Sequence, residues 1–133
     1  MRSRILVGAL ALSASLAVGS SVTGSAADPV MKWANVNLTE PTSIAGLFVT
    51  GPVIFVHDDA KMAEGEPCTG VYRFVPRKGP AEELVSFHCK PRWGTAPERF
   101  TVATKRNPYG PRILTEYQFA GDSEAHGVPI KTH

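Results

Sequence analysis

The chain has 133 residues, 14 Lys and Arg against 12 Asp and Glu, and a formal net charge of +2. Its 12 glycines and 11 prolines are scattered rather than clustered, which punctuates short strands and leaves little room for helix. This composition excludes a long transmembrane bundle, a low-complexity polymer and a strongly basic nucleic-acid binder.

Residues 1–27 have the three parts of a secretory signal: Arg2 and Arg4, an apolar run over residues 5–18, and a small-residue tract ending in Ala26 and Ala27. The apolar run, about 14 residues, falls short of the roughly 18 to 20 that span a bilayer. Ser25 and Ala27 predict cleavage after Ala27, with cleavage after Ala26 as the alternative on Gly24 and Ala26. The expected mature protein, residues 28–133, is secreted or periplasmic and makes no stable membrane insertion. Losing Arg2 and Arg4 leaves twelve basic and twelve acidic residues, so no basic stripe argues for nucleic acid or a membrane surface. About 106 residues make one small domain.

The first expected strand covers residues 34–39. Residues 44–49 and 53–57 then read as a pair of strands broken at Gly51-Pro52, almost continuously apolar, as expected of strands buried on both faces. Next comes a hairpin holding the only two cysteines. Pairing Cys68 with Cys89, Gly70 with Phe87, Tyr72 with Val85 and Phe74 with Glu83 gives an apolar face, with Thr69, Arg73, Ser86 and His88 on the other. Residues 77–80 are left as the loop. The exported compartment and the absence of a C-x-x-C pair predict a structural disulfide, worth about 3 kcal/mol for a loop of roughly 20 residues. A second hairpin pairs Phe100 with Tyr117, Val102 with Thr115 and Thr104 with Ile113. It turns at Asn107-Pro108-Tyr109-Gly110, whose Asn, Pro and Gly have type I spacing. The expected fold is all-β, a compact antiparallel sandwich or partly open barrel of six or seven short strands with a cross-strand disulfide in one hairpin.

The order Thr39-Glu40-Pro41, Ile44, Gly46, Leu47, Gly51 and Phe55 resembles the opening of small secreted bacterial β-sandwich or β-barrel proteins of unknown function. Tyr117-Gln118-Phe119-Ala120-Gly121 and Gly127-Val128-Pro129 are similar to their last strand and tail. Val53 stands where an aromatic is common in that pattern, and the cysteine hairpin lies outside it. The resemblance implies a fold and an export route and carries over no catalytic residue.

Four groups of residues bear on chemistry. His57-Asp58-Asp59, continuing through Lys61, Glu64 and Glu66, pairs imidazole with carboxylates, but it lacks D-x-D-x-D-G or H-E-x-x-H spacing and reads first as a solvated loop. His57, His88 and His126 make a zinc or copper site only if the strands bring them together, and because His88 falls on the polar face away from the disulfide, a copper site using Cys89 requires both a free thiol and a side-chain reversal. Asp122-Ser123-Glu124-Ala125-His126-Gly127 holds serine, acid and histidine within five residues, yet it has no G-x-S-x-G elbow and reads as a polar loop. Trp33, Trp93 and Tyr109, with Arg92 and Arg112 nearby, are rings and donors suited to a protein or carbohydrate partner. Trp93 is the foremost of these. Its alternative is a ring tucked over the end of the sandwich. Asn37-Leu38-Thr39 matches a glycosylation sequon within an expected strand.

No catalytic constellation is legible and no cofactor is called for. The expectation is a secreted, non-catalytic envelope or extracellular interaction module. The alternative is a metal-binding protein or metal-dependent enzyme using His57, Asp58 and Asp59 with His88 or His126. Assembly through the strand near residues 36–40 requires an unpaired edge there.

Overall fold

The computed structural model describes residues 30–131. The export segment and its cleavage positions lie outside the described residues. The fold is all-β. Eight strands, β1 (Met31–Ile44), β2 (Leu47–Asp58), β3 (Thr69–Val75), β4 (Gly79–Phe87), β5 (Lys90–Trp93), β6 (Thr101–Lys105), β7 (Arg112–Gln118) and β8 (Glu124–Gly127), form one sheet in the order β4-β3-β2-β1-β7-β8-β5, with β6 paired to β7 off that path, and the sheet does not close into a barrel. The pairing is antiparallel apart from a two-residue parallel link between β1 and β7. Among the described residues no helix is long and apolar enough to cross a membrane.

Strands β1 (Met31–Ile44) and β2 (Leu47–Asp58) form a long hairpin, and the expected segment 34–39 is the middle of β1. The chain reverses at Ala45-Gly46 and not at Gly51-Pro52. Ala45 (φ 50°) and Gly46 (φ 92°) both lie in the left-handed region, which a two-residue hairpin turn requires to match the strands' twist. Gly51 (φ 95°) instead lies at an irregularity where the register changes between Leu38 and Thr42. Pro41, which has no N–H to give a ladder, falls inside that bulge.

After β2, Asp58 caps a single helical turn, α1 (Asp59–Ala63), accepting from the Ala60 N–H at 2.9 Å. The acidic run is therefore partly helical rather than a plain loop.

Strands β3 (Thr69–Val75) and β4 (Gly79–Phe87) make the expected hairpin with different faces. Thr69 pairs with Phe87, Gly70 with Ser86 and Val71 with Val85, one residue off the expected register. Because side chains alternate along a strand, that slip exchanges the faces. Thr69 and Val71 are fully buried in the core, while Tyr72 and Phe74 turn outward. The turn also moves, because the Lys78 N–H donates to the Val75 carbonyl at 3.0 Å and Gly79 and Pro80 belong to β4. Cys68 and Cys89 flank this ladder and are joined by a disulfide, with Cα atoms 6.3 Å apart.

Strand β5 (Lys90–Trp93) pairs with β8 (Glu124–Gly127), so residues 122–127 are not the expected polar loop. The chain turns tightly at Gly121 (φ 72°), where the Asp122 N–H donates to the Phe119 carbonyl at 3.2 Å, and then re-enters the sheet. Strands β6 (Thr101–Lys105) and β7 (Arg112–Gln118) form the second hairpin, with Val102 opposite Tyr117. That register is two residues from the expected one as far as Ala103, and a bulge between Ala103 and Thr104 then sets Thr104 opposite Leu114 rather than Ile113, so that Leu114 enters the core. Its Asn107 turn behaves as its chemistry dictates: the Gly110 N–H donates to the Asn107 carbonyl at 3.4 Å and the Tyr109 N–H to the Asn107 side chain at 3.2 Å.

One hydrophobic core joins all of this. Val53, Phe55, Val71 and Phe87 from the β1–β4 half meet Leu114, Tyr117 and Phe119 from the other. Phe55 lies 5.1 Å from Tyr117 and 5.5 Å from Phe100 between ring centroids, tilted contacts that add about 0.5–1.5 kcal/mol each beyond burial.

Candidate functional site

Two places in the molecule hold chemistry, one on each face of β2. Val53, Phe55 and His57 point inward, and Ile54, Val56 and Asp58 point outward.

The inward place is a buried cluster of imidazoles and sulfur. His57 is 3% exposed and His126 is 2% exposed, and their rings lie 4.3 Å apart. The β7–β8 ladder sets Tyr117 opposite His126, with the rings stacked at 4.9 Å. The Tyr117 hydroxyl is hydrogen-bonded to that of Thr69, which crosses between the two halves of the sheet. His57 Nε2 is 3.0 Å from an Asp59 carboxylate oxygen, and His57 Nδ1 is 3.7 Å from Cys89 Sγ. His57 Nδ1 and the two sulfurs of the disulfide fall within 4.8 Å of one another. Among the described residues, neither ring nitrogen of His126 has a hydrogen-bond partner.

This setting perturbs protonation. Burial, and then the neighbouring His57, push the His126 pKa down to about 4. Burial raises the Tyr117 hydroxyl well above the ordinary phenol range, the Thr69 hydrogen bond opposing it. At the rim, Lys32 bridges to Asp122 and holds that carboxyl below the usual carboxylate range.

His57 thus meets both cysteines, with Asp59 and His126 against its ring. His88 is exposed on the strand side away from them, and Asp58 is committed to capping α1. Cys89 is buried and faces His57, while the neighbouring His88 is exposed, as expected. The convergence was beyond sequence reasoning because it depends on β8 folding back beside β7. The odd-numbered placement of Val53, Phe55 and His57 on one apolar strand was the signal that His57 is an interior residue.

The outward place is a groove across β1 to β4. Met31 and Trp33 from β1, Ile54 and Val56 from β2, and Phe74 and Pro80 from β3 and β4 line an apolar hollow of about 320 Å³. Trp33 is 63% exposed beside Ile54, which is 3% exposed. The hollow runs into a second of about 450 Å³, sharing Met31, Val56 and Pro80 and rimmed by Asp58, Lys61, Glu66 and Glu83. Tyr72 lies across Gly70, where any Cβ would come within 2.8 Å of its ring, so the glycine lets an aromatic lie flat against the sheet.

Of the residues proposed as a binding surface, Trp33 belongs to this groove. Trp93 stands 76% exposed on the edge strand β5, not tucked over the end of the fold, and Tyr109 is 97% exposed in the β6–β7 turn. Arg92 pairs with Glu116 at 3.2 Å and Arg112 with Glu40 at 2.9 Å, so both guanidinium groups are engaged within the protein. Sequence reasoning missed Met31, which precedes the expected strand 34–39, Ile54, which was read as part of a strand buried on both faces, and Phe74, which the one-residue slip had placed inside. No family model, curated protein or solved structure matches the chain.

Proposed function

We propose that this protein is an exported, non-catalytic binding module that recognises a protein segment through the outward groove of β1–β4. The carrying observation is the paired exposure of Met31 and Trp33, at 61% and 63%, over a continuous apolar floor of Ile54 and Val56. A sheet face that only meets water alternates toward polar residues, and here it does not. The adjoining rim sets Asp58, Glu66 and Glu83 against the single Lys61. The matching ligand is an apolar side chain followed by a basic one. A Trp ring also stacks on sugars, but the apolar floor offers sugar hydroxyls few partners. The disulfide fits an oxidising compartment, in keeping with export through residues 1–27.

The test uses Trp33 as its own reporter. In a Trp93→Phe background, peptides carrying an aromatic or Leu beside Arg or Lys are expected to blue-shift and saturate the Trp33 emission. Trp33→Ala is expected to weaken their binding, measured by calorimetry, by at least about tenfold, the range of an aromatic anchor. Peptide binding indifferent to both Trp33→Ala and Glu83→Gln would remove the groove as the recognition surface.

A further inference from the structure

We propose that the Cys68–Cys89 disulfide masks a zinc site, which forms when a dithiol reductant opens it and which uses both thiolates and His57 Nδ1, with His126 beside the fourth position. This rests on the inward cluster and is independent of the groove.

The donor set is assembled before any metal arrives. His57 Nδ1 and the two sulfurs lie within 4.8 Å of one another, and the nitrogen is already 3.7 Å from Cys89 Sγ. Zinc bonds of about 2.3 Å to sulfur and 2.0–2.1 Å to nitrogen, at tetrahedral angles, place neighbouring donors roughly 3.5–3.8 Å apart. Once the covalent bond is gone, two sulfurs in van der Waals contact stand at about that separation, so a small local adjustment completes the geometry.

His57 is also oriented as a ligand. Asp59 accepts from Nε2 at 3.0 Å, which fixes the N–H on that nitrogen in the neutral ring and leaves the Nδ1 lone pair facing the sulfurs. A carboxylate behind a histidine, with its other nitrogen turned to the metal, is the support that zinc-binding imidazoles ordinarily have. In the oxidised protein that lone pair faces a disulfide, which has no proton to donate.

His126 adds a third, separate sign. It is 2% exposed, its ring lies tilted 4.3 Å from that of His57, and both its nitrogens are without a hydrogen-bond partner among the described residues. A buried imidazole left in that state costs free energy that a ligand would recover. A cation among the sulfurs and His57 gives it a ligand to bind directly or through one water.

Two thiols of the reductant pass two electrons and two protons to the Cys68–Cys89 bond and leave as a disulfide. Zn²⁺ then displaces the two cysteine thiol protons to solvent and forms two Zn–S bonds and one Zn–N bond. Two thiolates neutralise a divalent ion, so the buried site carries no net charge, whereas a monovalent ion would leave one negative charge in the core.

Cobalt(II) and zinc(II), added anaerobically to the protein before and after reduction, test this. The reduced protein is expected to take up one Co²⁺ per chain with thiolate-to-cobalt charge-transfer absorption, and zinc is expected to displace it. The oxidised protein is expected to show neither. His57→Gln and Asp59→Asn, reduced in the same way, are expected to weaken zinc by about 10–100-fold in competition with a chromophoric chelator. Near-UV circular dichroism follows folding in parallel. Reduced protein that loses its native signal and regains it on adding zinc also supports the site. No stoichiometric uptake after reduction, uptake without recovery of the native signal, equal uptake by the oxidised protein, or unchanged affinity in His57→Gln would each overturn it.

Discussion

His126 concentrates the molecule's unusual chemistry in one side chain. Its pKa falls from the ordinary 6.5 to about 4 because burial, and then the adjacent His57, oppose a positive charge on its ring. In the unfolded chain the ring protonates near its ordinary value, so native stability is at its full level above about pH 6.5 and declines as pH falls toward 4. The loss approaches about 3 kcal/mol when fully expressed, at roughly 1.4 kcal/mol for each tenfold change in proton affinity. Urea midpoints measured from pH 7.5 down to 4 are expected to show this decline, and His126→Phe is expected to flatten it. An unchanged slope in that variant would assign the acid sensitivity to other groups. His126 was legible as a candidate ligand from its type alone. Its burial was not, because Asp122 to Gly127 has the composition of a loop and only pairing with β7 and β5 takes it inside.

At the scale of elements, one turn was legible where two others and the faces of β3 were not. The Asn107 turn forms as its residues dictate, with the asparagine side chain bonded two residues on. The β3–β4 turn follows another rule. Pro76 occupies its second position and Arg77, at φ 70°, its third, the arrangement of a type II turn, where glycine is favoured. Arg77 is exposed, so Arg77→Gly is expected to stabilise the protein by up to about 1 kcal/mol through relief of the left-handed strain, read as a higher thermal midpoint. A lower midpoint would mean that the arginine makes a compensating contact. The faces of β3 were illegible for a physical reason. Val71 and Val75 alternate with Tyr72 and Phe74, so both faces of the strand are apolar and alternation cannot choose between core and groove. The Ala45-Gly46 reversal escaped for a related cause, because Ala at a positive φ carries no turn signature.

For the whole molecule, an all-β fold with a stapled hairpin was legible from strand-length runs, turn residues and two cysteines, and the count rises to eight strands because β5 and β8 are only four residues each. The connection between the halves was not legible, since it depends on contacts far apart in sequence. β1 to β4 form a meander of consecutive neighbours, while β5 to β8 form the second unit. The only ladder between them among the described residues is Thr42 with Arg112 and Ser43 with Ile113. Side chains supply the other cross-ties: Lys32 to Asp122, Arg112 to Glu40, Thr69 to Tyr117, His57 against His126, and the shared core. A seam with so few backbone bonds separates amide protons into two populations. Hydrogen exchange under native conditions is expected to show the β1–β3 amides opening as one cooperative block and the β7–β8 amides as another of lower protection, with Thr69→Val bringing the second block down further. A single exchange free energy across both blocks would instead make the seam as cohesive as any strand pair, the core alone holding the halves to one unfolding event.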